Sequence, residues 1–196
     1  MIDLGNIRDD IEQLLHQAGK VVKDGFRESN KEVSSKRDVN DLLTKFDIQA
    51  NNIIVEHLSQ EYPTFSIVSE ESPEIKKDSE YTFLIDPIDG TRELARGVGE
   101  CSISFGIYFS STFNDPRNFS WIFNPFNSLT AQTNSKSINS RLVKRKRLLG
   151  FVSNTEFNNG LYDDLSSDIT VIPKGSIAYK LGLPQRYQAH LLPQNK

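Results

Sequence analysis

Apolar residues recur at helical spacing near the start of the chain, at Ile7, Ile11, Leu14, Leu15, Ala18, Val21 and Val22. That period predicts an amphipathic helix over residues 3–25, ending near Gly25. A second helix is predicted over 42–61. Its apolar face is Phe46, Ala50, Ile53, Ile54, His57 and Leu58, with Asn51 and Glu56 turned outward, and Tyr62-Pro63 ends it. His57 reads there as a partly buried helix residue. The pattern then shortens to apolar runs at 64–68, 81–85, 102–109, 119–123, 129–133 and 149–153, separated by Pro, Asn, Ser and Gly clusters, which predict strands. Towards the end, 169–172 reads as a strand, 176–183 as a helix opened by Gly175-Ser176, and 187–192 as one more strand. The sum is an α+β chain, a mixed sheet with helices packed against it.

Composition narrows the classes. At 196 residues the chain can bury one sizeable core, and residues 1–196 read as a single domain. A formal charge of −3 supplies no basic footprint for a nucleic-acid polymer, and the basic run 141–147 reads as a solvated loop or strand entry. One cysteine, Cys101, excludes an intrachain disulfide framework and fits a reducing, cytoplasmic setting. It reads as a small strand-face residue. No apolar stretch approaches the ~18 residues a spanning helix needs, so no membrane partner is expected.

The chemistry concentrates at Leu84-Ile85-Asp86-Pro87-Ile88-Asp89-Gly90-Thr91, where an apolar strand ends in two carboxylates and a Gly-Thr helix start. Pro87, without an N–H for a ladder, is expected to stop the strand, and Asp89 to swing back toward Asp86. The N–H groups of Thr91, Arg92 and Glu93 would seat an oxyanion. Asp-Pro and Asp-Gly are also ordinary turn formers. A second acidic strand end, Ile67-Val68-Ser69-Glu70-Glu71-Ser72, makes a plain loop a poorer reading. With Asp47 on the second helix, the hard oxygen donors suit Mg²⁺ or Mn²⁺, whereas one Cys and three scattered His argue against a zinc site. Two such ions bridged by a shared carboxylate are a common way to hydrolyse a phosphate ester, and Asp86, central in the group, is the candidate bridge.

Asp86-Pro-Ile-Asp-Gly-Thr91, with Ser69-Glu-Glu-Ser72 and Asp41-Leu-Leu-Thr-Lys-Phe-Asp47 before it, resembles the signature set of the inositol monophosphatase family of lithium-sensitive, magnesium-dependent phosphatases. That family includes 3′(2′),5′-bisphosphate nucleotidases and some fructose-1,6-bisphosphatases. The resemblance implies a layered α/β sandwich of the sugar-phosphatase type and a small phosphorylated metabolite as substrate. It implies that Glu70, Asp86 and the Ile88 carbonyl hold a first metal, and that Asp89 joins Asp86 on a second. Asp47 and Thr91 would orient and deprotonate the attacking water, with Glu70 among the catalytic groups, and the Gly90 and Thr91 N–H groups would bind phosphate. Gly175 and Ser176 would border the substrate pocket. Lys36 reads either as the lysine that relatives often carry near the metal loop or as a surface cation.

The chain departs from the family pattern near its end. The family's Trp-Asp motif, which supplies one more ligand to the second metal, has no counterpart here, so the chain reads as C-terminally truncated with that metal weakened. An uncovered sheet edge would favour association, such as a homodimer. Three readings of function follow: a phosphomonoesterase acting on inositol monophosphate or a related ester; a bisphosphate nucleotidase, which Arg92-Glu93-Leu94 resembles more closely; or a silent relative that binds metal or phosphate only.

Overall fold

The computed structural model describes residues 4–32, 39–109, 115–133, 148–165 and 169–189. Two helices lead, α1 (Leu4–Glu32) and α2 (Val39–Glu61), followed by strands β1 (Ser66–Ser69), β2 (Ser72–Ile75) and β3 (Tyr81–Asp89). A single-turn helix α3 (Thr91–Ala95) precedes β4 (Ser102–Phe109), β5 (Phe119–Asn124) and β6 (Leu129–Gln132). The remainder is β7 (Leu148–Ser153), α4 (Asn154–Asn158), β8 (Ile169–Lys174) and α5 (Ile177–Ala189). This is an α+β fold with one six-stranded sheet, ordered β2-β1-β3-β4-β5-β6, and a parallel pair β7-β8.

Within the larger sheet every neighbour runs antiparallel except β1 and β3, which are parallel. Alternation puts Phe83 and Ile85 of β3, Ile103, Phe105 and Ile107 of β4, and Phe119, Trp121 and Phe123 of β5 into one buried cluster with Ile11, Leu14, Leu15, Ile54 and Leu58 of the two helices. Leu84, between two of these, is 44% exposed.

Five expectations are corrected. The first helix does not end near Gly25 but continues to Glu32, because Gly25 serves close packing: a Cβ there would lie 2.2 Å from Cγ of Phe46 on α2. Asn51 does not face solvent; it is 1% exposed and its Oδ1 accepts from Ser69 Oγ at 2.6 Å. A polar residue at a core position is tolerated when its partner is supplied, here from the end of β1. Pro87 does not stop β3, because the register against β4 slips between Asp86 and Asp89, and Pro87 sits in that irregularity. Residues 187–189, expected to begin a strand, close α5 instead, and 190–192 lie outside the described residues. Cys101 is buried immediately before β4 rather than on a strand face.

His57 is half-buried as expected; its Nε2 lies 2.9 Å from both Asp10 carboxylate oxygens, while Tyr62 donates to Asp10 at 2.7 Å, so α1 and α2 are clamped together. Asn124, at the end of β5, is fully buried and uses both ends of its amide. Its Nδ2 donates to the carbonyls of Gly99 (2.9 Å) and Cys101 (2.7 Å), and its Oδ1 accepts from the N–H groups of Phe126 (2.8 Å) and Asn127 (3.1 Å). Asn124→Ala should therefore cost about 2 kcal/mol, because it strands two buried carbonyls and two N–H groups together. Urea unfolding checks this, and an unchanged midpoint would contradict it.

Candidate active site

The acids meet because of strand register. Ser69 at the end of β1 pairs with Ile85 of β3, and the Glu70 N–H continues the ladder to the Ile85 carbonyl at 3.1 Å. The next residues, Glu70 just past β1 and Asp86 within β3 at its register slip, therefore lie side by side. Glu70 and Glu71 form the turn into β2, a strand that period alone did not predict. Helix α2 packs on both β3 and α3 and brings in Asp47, 7% exposed, from above.

The electrostatics are frustrated. Burial pushes the Asp47 carboxyl up to about 8, helped by repulsion from Glu71, Asp86 and Glu70. Burial likewise pushes Asp86 up to about 7, with Glu70 and Asp89 repelling it and the Ile88 N–H bond working in the opposite direction. Glu70 and Asp86 lie within hydrogen-bonding reach of each other. Two carboxyl groups that close share either a proton or a cation. Asp47 Oδ1, meanwhile, is buried with no hydrogen-bond partner. These are hard oxygen donors lacking positive charge, and their chemistry fits Mg²⁺ or Mn²⁺. Among the described residues no three His, Cys, Asp or Glu side chains converge as a formed cation cage.

Asp89 does not turn back to Asp86 alone. Its Oδ2 accepts from Ser176 Oγ (2.7 Å) and from the Ala178 N–H (2.6 Å), joining β3 to the start of α5. Ser176 in turn accepts from the Tyr179 N–H at 2.9 Å, an N-cap bond. Gly90 has φ 108, a left-handed conformation that glycine alone adopts without strain, and it leads directly into α3. The Glu93 and Leu94 N–H groups both return to the Gly90 carbonyl, at 3.0 and 3.1 Å. Of the three N–H groups expected to face an anion, that of Glu93 is thus already committed.

A cleft of about 370 Å³ opens between the 89–93 turn and residues Ser153, Asn154, Thr155 and Lys174 to Ile177, with Lys180 also lining it. Gly175 and Ser176 border this cleft. Glu100 ties its far wall together: Lys174 Nζ donates to it at 2.6 Å, the Gly175 N–H at 2.7 Å and Asn154 Nδ2 at 3.4 Å. Burial raises the Glu100 pKa, but the bonds from Lys174 and Gly175 outweigh it and leave the carboxyl below its ordinary value. Glu100, Asn154 and Lys174 escaped sequence reading; Asn154 and Lys174 stand 60 or more positions downstream of the Gly90 turn, with no spacing to mark them. Lys36 lies outside the described residues, as does the basic run 141–147. Burial pushes the Cys101 thiol far up, with Asp89, Glu93 and Asp47 adding to the shift, so it is no nucleophile.

The Glu70–Asp86 pair thus faces the buried Asp47 of the covering helix, and the Gly90-Thr91 turn borders a polar cleft. The inositol monophosphatase family model matches residues 4–160, and the chain belongs to that family. Among curated relatives, the Nus factor SuhB of Pasteurella multocida (strain Pm70) is 32% identical over 92 residues, covering 46% of this chain and 34% of its own. Inositol monophosphatase 1 of Solanum lycopersicum is 33% identical over 95 residues, with the same shares. The chain thus spans about a third of the length of these relatives. Solved structures share the fold: the extragenic suppressor protein suhB from Bartonella henselae has a TM-score of 0.63 at 24% identity, covering 90% of this chain and 71% of that one. Staphylococcal IMPase-II has a TM-score of 0.63 at 18% identity, covering 90% and 68%. No helix among the described residues is long and apolar enough to cross a membrane.

Proposed function

We propose that the chain carries the site of a magnesium-dependent phosphomonoester hydrolase acting on inositol monophosphate or a related small phosphate ester. The observation that carries this reading is the Glu70–Asp86 contact beside the buried, unpartnered Asp47 oxygen. Glu70, Asp86 and the Ile88 carbonyl would hold the ion, with Asp89 reached through its remaining oxygen. The bound cation would supply positive charge that neutralises the carboxylates and the ester phosphate together. The chain's own residues do the rest. Gly90, with φ 108, makes a turn in which a Cβ would lie 2.8 Å from the Glu100 carbonyl oxygen, and the Gly90 and Thr91 N–H groups would bind the phosphate. Asp47, held among other acids with a pKa of about 8, takes a proton near neutral pH more readily than an ordinary carboxylate. The Thr91 hydroxyl would relay that proton from the attacking water.

Phosphate release from inositol 1-phosphate and from 3′-phosphoadenosine 5′-phosphate, with Mg²⁺, tests the reading. Turnover is expected on at least one. Turnover no greater than that of Asp86→Asn would remove the enzyme reading. The second substrate keeps the bisphosphate nucleotidase alternative in view. A non-catalytic role is the other reading, supported by relatives that carry the name Nus factor; these names also give no support to the expectation of no nucleic-acid partner.

A further inference from the structure

Asp89 gives one oxygen to the start of α5: Oδ2 accepts from Ser176 Oγ at 2.7 Å and from the Ala178 N–H at 2.6 Å, and Oδ1 is the oxygen that remains for an ion. The turn that supplies these donors is under backbone strain. Ser176 is buried and has φ 51, in the left-handed region that L side chains disfavour. A residue keeps such a conformation only where its surroundings fix it from several sides. Two glycines make the close fit possible. A Cβ on Gly90 would lie 3.0 Å from Ser176 Cβ and 2.8 Å from the Glu100 carbonyl oxygen, and one on Gly175 would overlap Glu93 Cγ.

Glu100 supplies the polar hold. Its side chain is 16% exposed, and its carboxylate accepts from the Gly175 N–H at 2.7 Å, one residue before the strained serine. Lys174 Nζ, at 2.6 Å, neutralises the charge. Glu100 is itself anchored, because the buried Asn124 amide donates to the carbonyls of Gly99 and Cys101 on either side of it, at 2.9 and 2.7 Å. A path of backbone and hydrogen bonds thus runs from the core at Asn124, through Glu100 and the turn at 175–178, to Asp89.

We propose that Glu100 is a positioning residue: through the Gly175 N–H it holds the left-handed turn at Ser176, and through that turn it aims the Asp89 carboxylate for a cation. The role rests on the phosphatase reading above for the identity of that ion. Gly175 is buried, so without an acceptor its N–H is left unpaired. The turn then relieves its strain by rotating, which carries the Ser176 and Ala178 donors off Asp89. A carboxylate that is already oriented loses less freedom on binding an ion than one that is not.

The test compares two variants of the full chain with equal charge. Glu100→Gln and Glu100→Met, each combined with Lys174→Met, remove the same ion pair and keep the side-chain volume, but only Gln retains an oxygen for the Gly175 N–H. Mg²⁺ affinity is measured by calorimetry without substrate, and exchange of the Ala178 amide by NMR in chelator. The Gln form is expected to bind Mg²⁺ within about threefold of the parent, and the Met form about tenfold more weakly than the Gln form, the lower end for a group behind a metal ligand. Ala178 should exchange about tenfold faster in the Met form. Glu100→Ala with Lys174→Met repeats the comparison if the Met form does not fold. Arg117→Gln, whose ion pair with Asp115 lies outside the cleft, should leave Mg²⁺ affinity unchanged. Equal Mg²⁺ affinity in the Gln and Met forms overturns the positioning role and leaves the phosphatase reading standing. The expected loss of affinity in a parent that releases no phosphate upholds the role and removes the phosphatase reading. A parent that binds no Mg²⁺ overturns both.

Discussion

Asp47→Asn is expected to make the metal-free protein more stable at neutral pH while lowering turnover by about a hundredfold or more, the scale of a lost general base. In the fold the Asp47 pKa is pushed up to about 8, whereas its ordinary value is 3.8, so folding at pH 7 must take up a proton or bury a charge. Each pH unit between the two values costs ~1.4 kcal/mol at full strength, and solvent screening reduces the total to on the order of 2 kcal/mol. The sign follows from linkage. Below about pH 4 both states are protonated and the penalty is absent; it grows as pH rises toward 8 and is constant above. The uncharged Asn removes it. In chelator, the variant should therefore melt roughly 4–8 °C above the parent at pH 8, and level with it near pH 4. Added Mg²⁺ should narrow the gap by supplying the charge that the acids lack. Equal melting temperatures at both pH values would show that Asp47 carries no such penalty. Stability given up at the site is what a carboxylate cluster prepared for a cation implies.

The second large effect runs against helix propensity. Gly25 lies within α1, where replacing glycine by alanine ordinarily gains about 1 kcal/mol. Here a Cβ would meet Phe46 Cγ at 2.2 Å, Cδ2 at 2.4 Å and Cβ at 2.8 Å. The Cβ and Cγ atoms of Phe46 are tied to the α2 backbone and cannot swing aside as a side-chain tip can. Gly25→Ala should therefore destabilise by about 3 kcal/mol, the upper end of overpacking costs. Phe46 is adjacent to Asp47, so displacing α2 at this point also moves the carboxylate and should lower turnover. A double-mutant cycle isolates the contact: in a Phe46→Ala background the same substitution should become neutral or stabilising. Destabilisation of equal size in both backgrounds would locate the effect elsewhere.

The two substitutions mark where sequence reading succeeds and where it stops. The apolar period of residues 7–22 was legible because core burial and helix geometry share one repeat, and the strand runs 102–109 and 119–123 were legible for the same reason at period two. Gly25 misled because a helix terminus and a helix–helix close approach both favour glycine. Asn51 misled because outward and hydrogen-bonded-inward polar residues look alike until the partner, Ser69, is located. Pro87 misled because a slipped register needs no N–H where a regular ladder would. Glu100 and Gly175 lie 75 positions apart, too far for spacing to carry any signal.

What the chain determined by itself is the local chemistry: which segments bury a face, which strand ends carry acids, and that a glycine follows Asp89. Those properties depend on residues within a turn or a strand of one another. What only the tertiary structure decided is which groups meet. The β1–β3 register sets Glu70 against Asp86, the α2 packing lowers Asp47 onto them, and the start of α5 claims one oxygen of Asp89 while bringing Lys180 to the cleft. Coulomb and desolvation energies depend on those through-space distances and on water removed by neighbours, and neither is written in the order of residues along the chain.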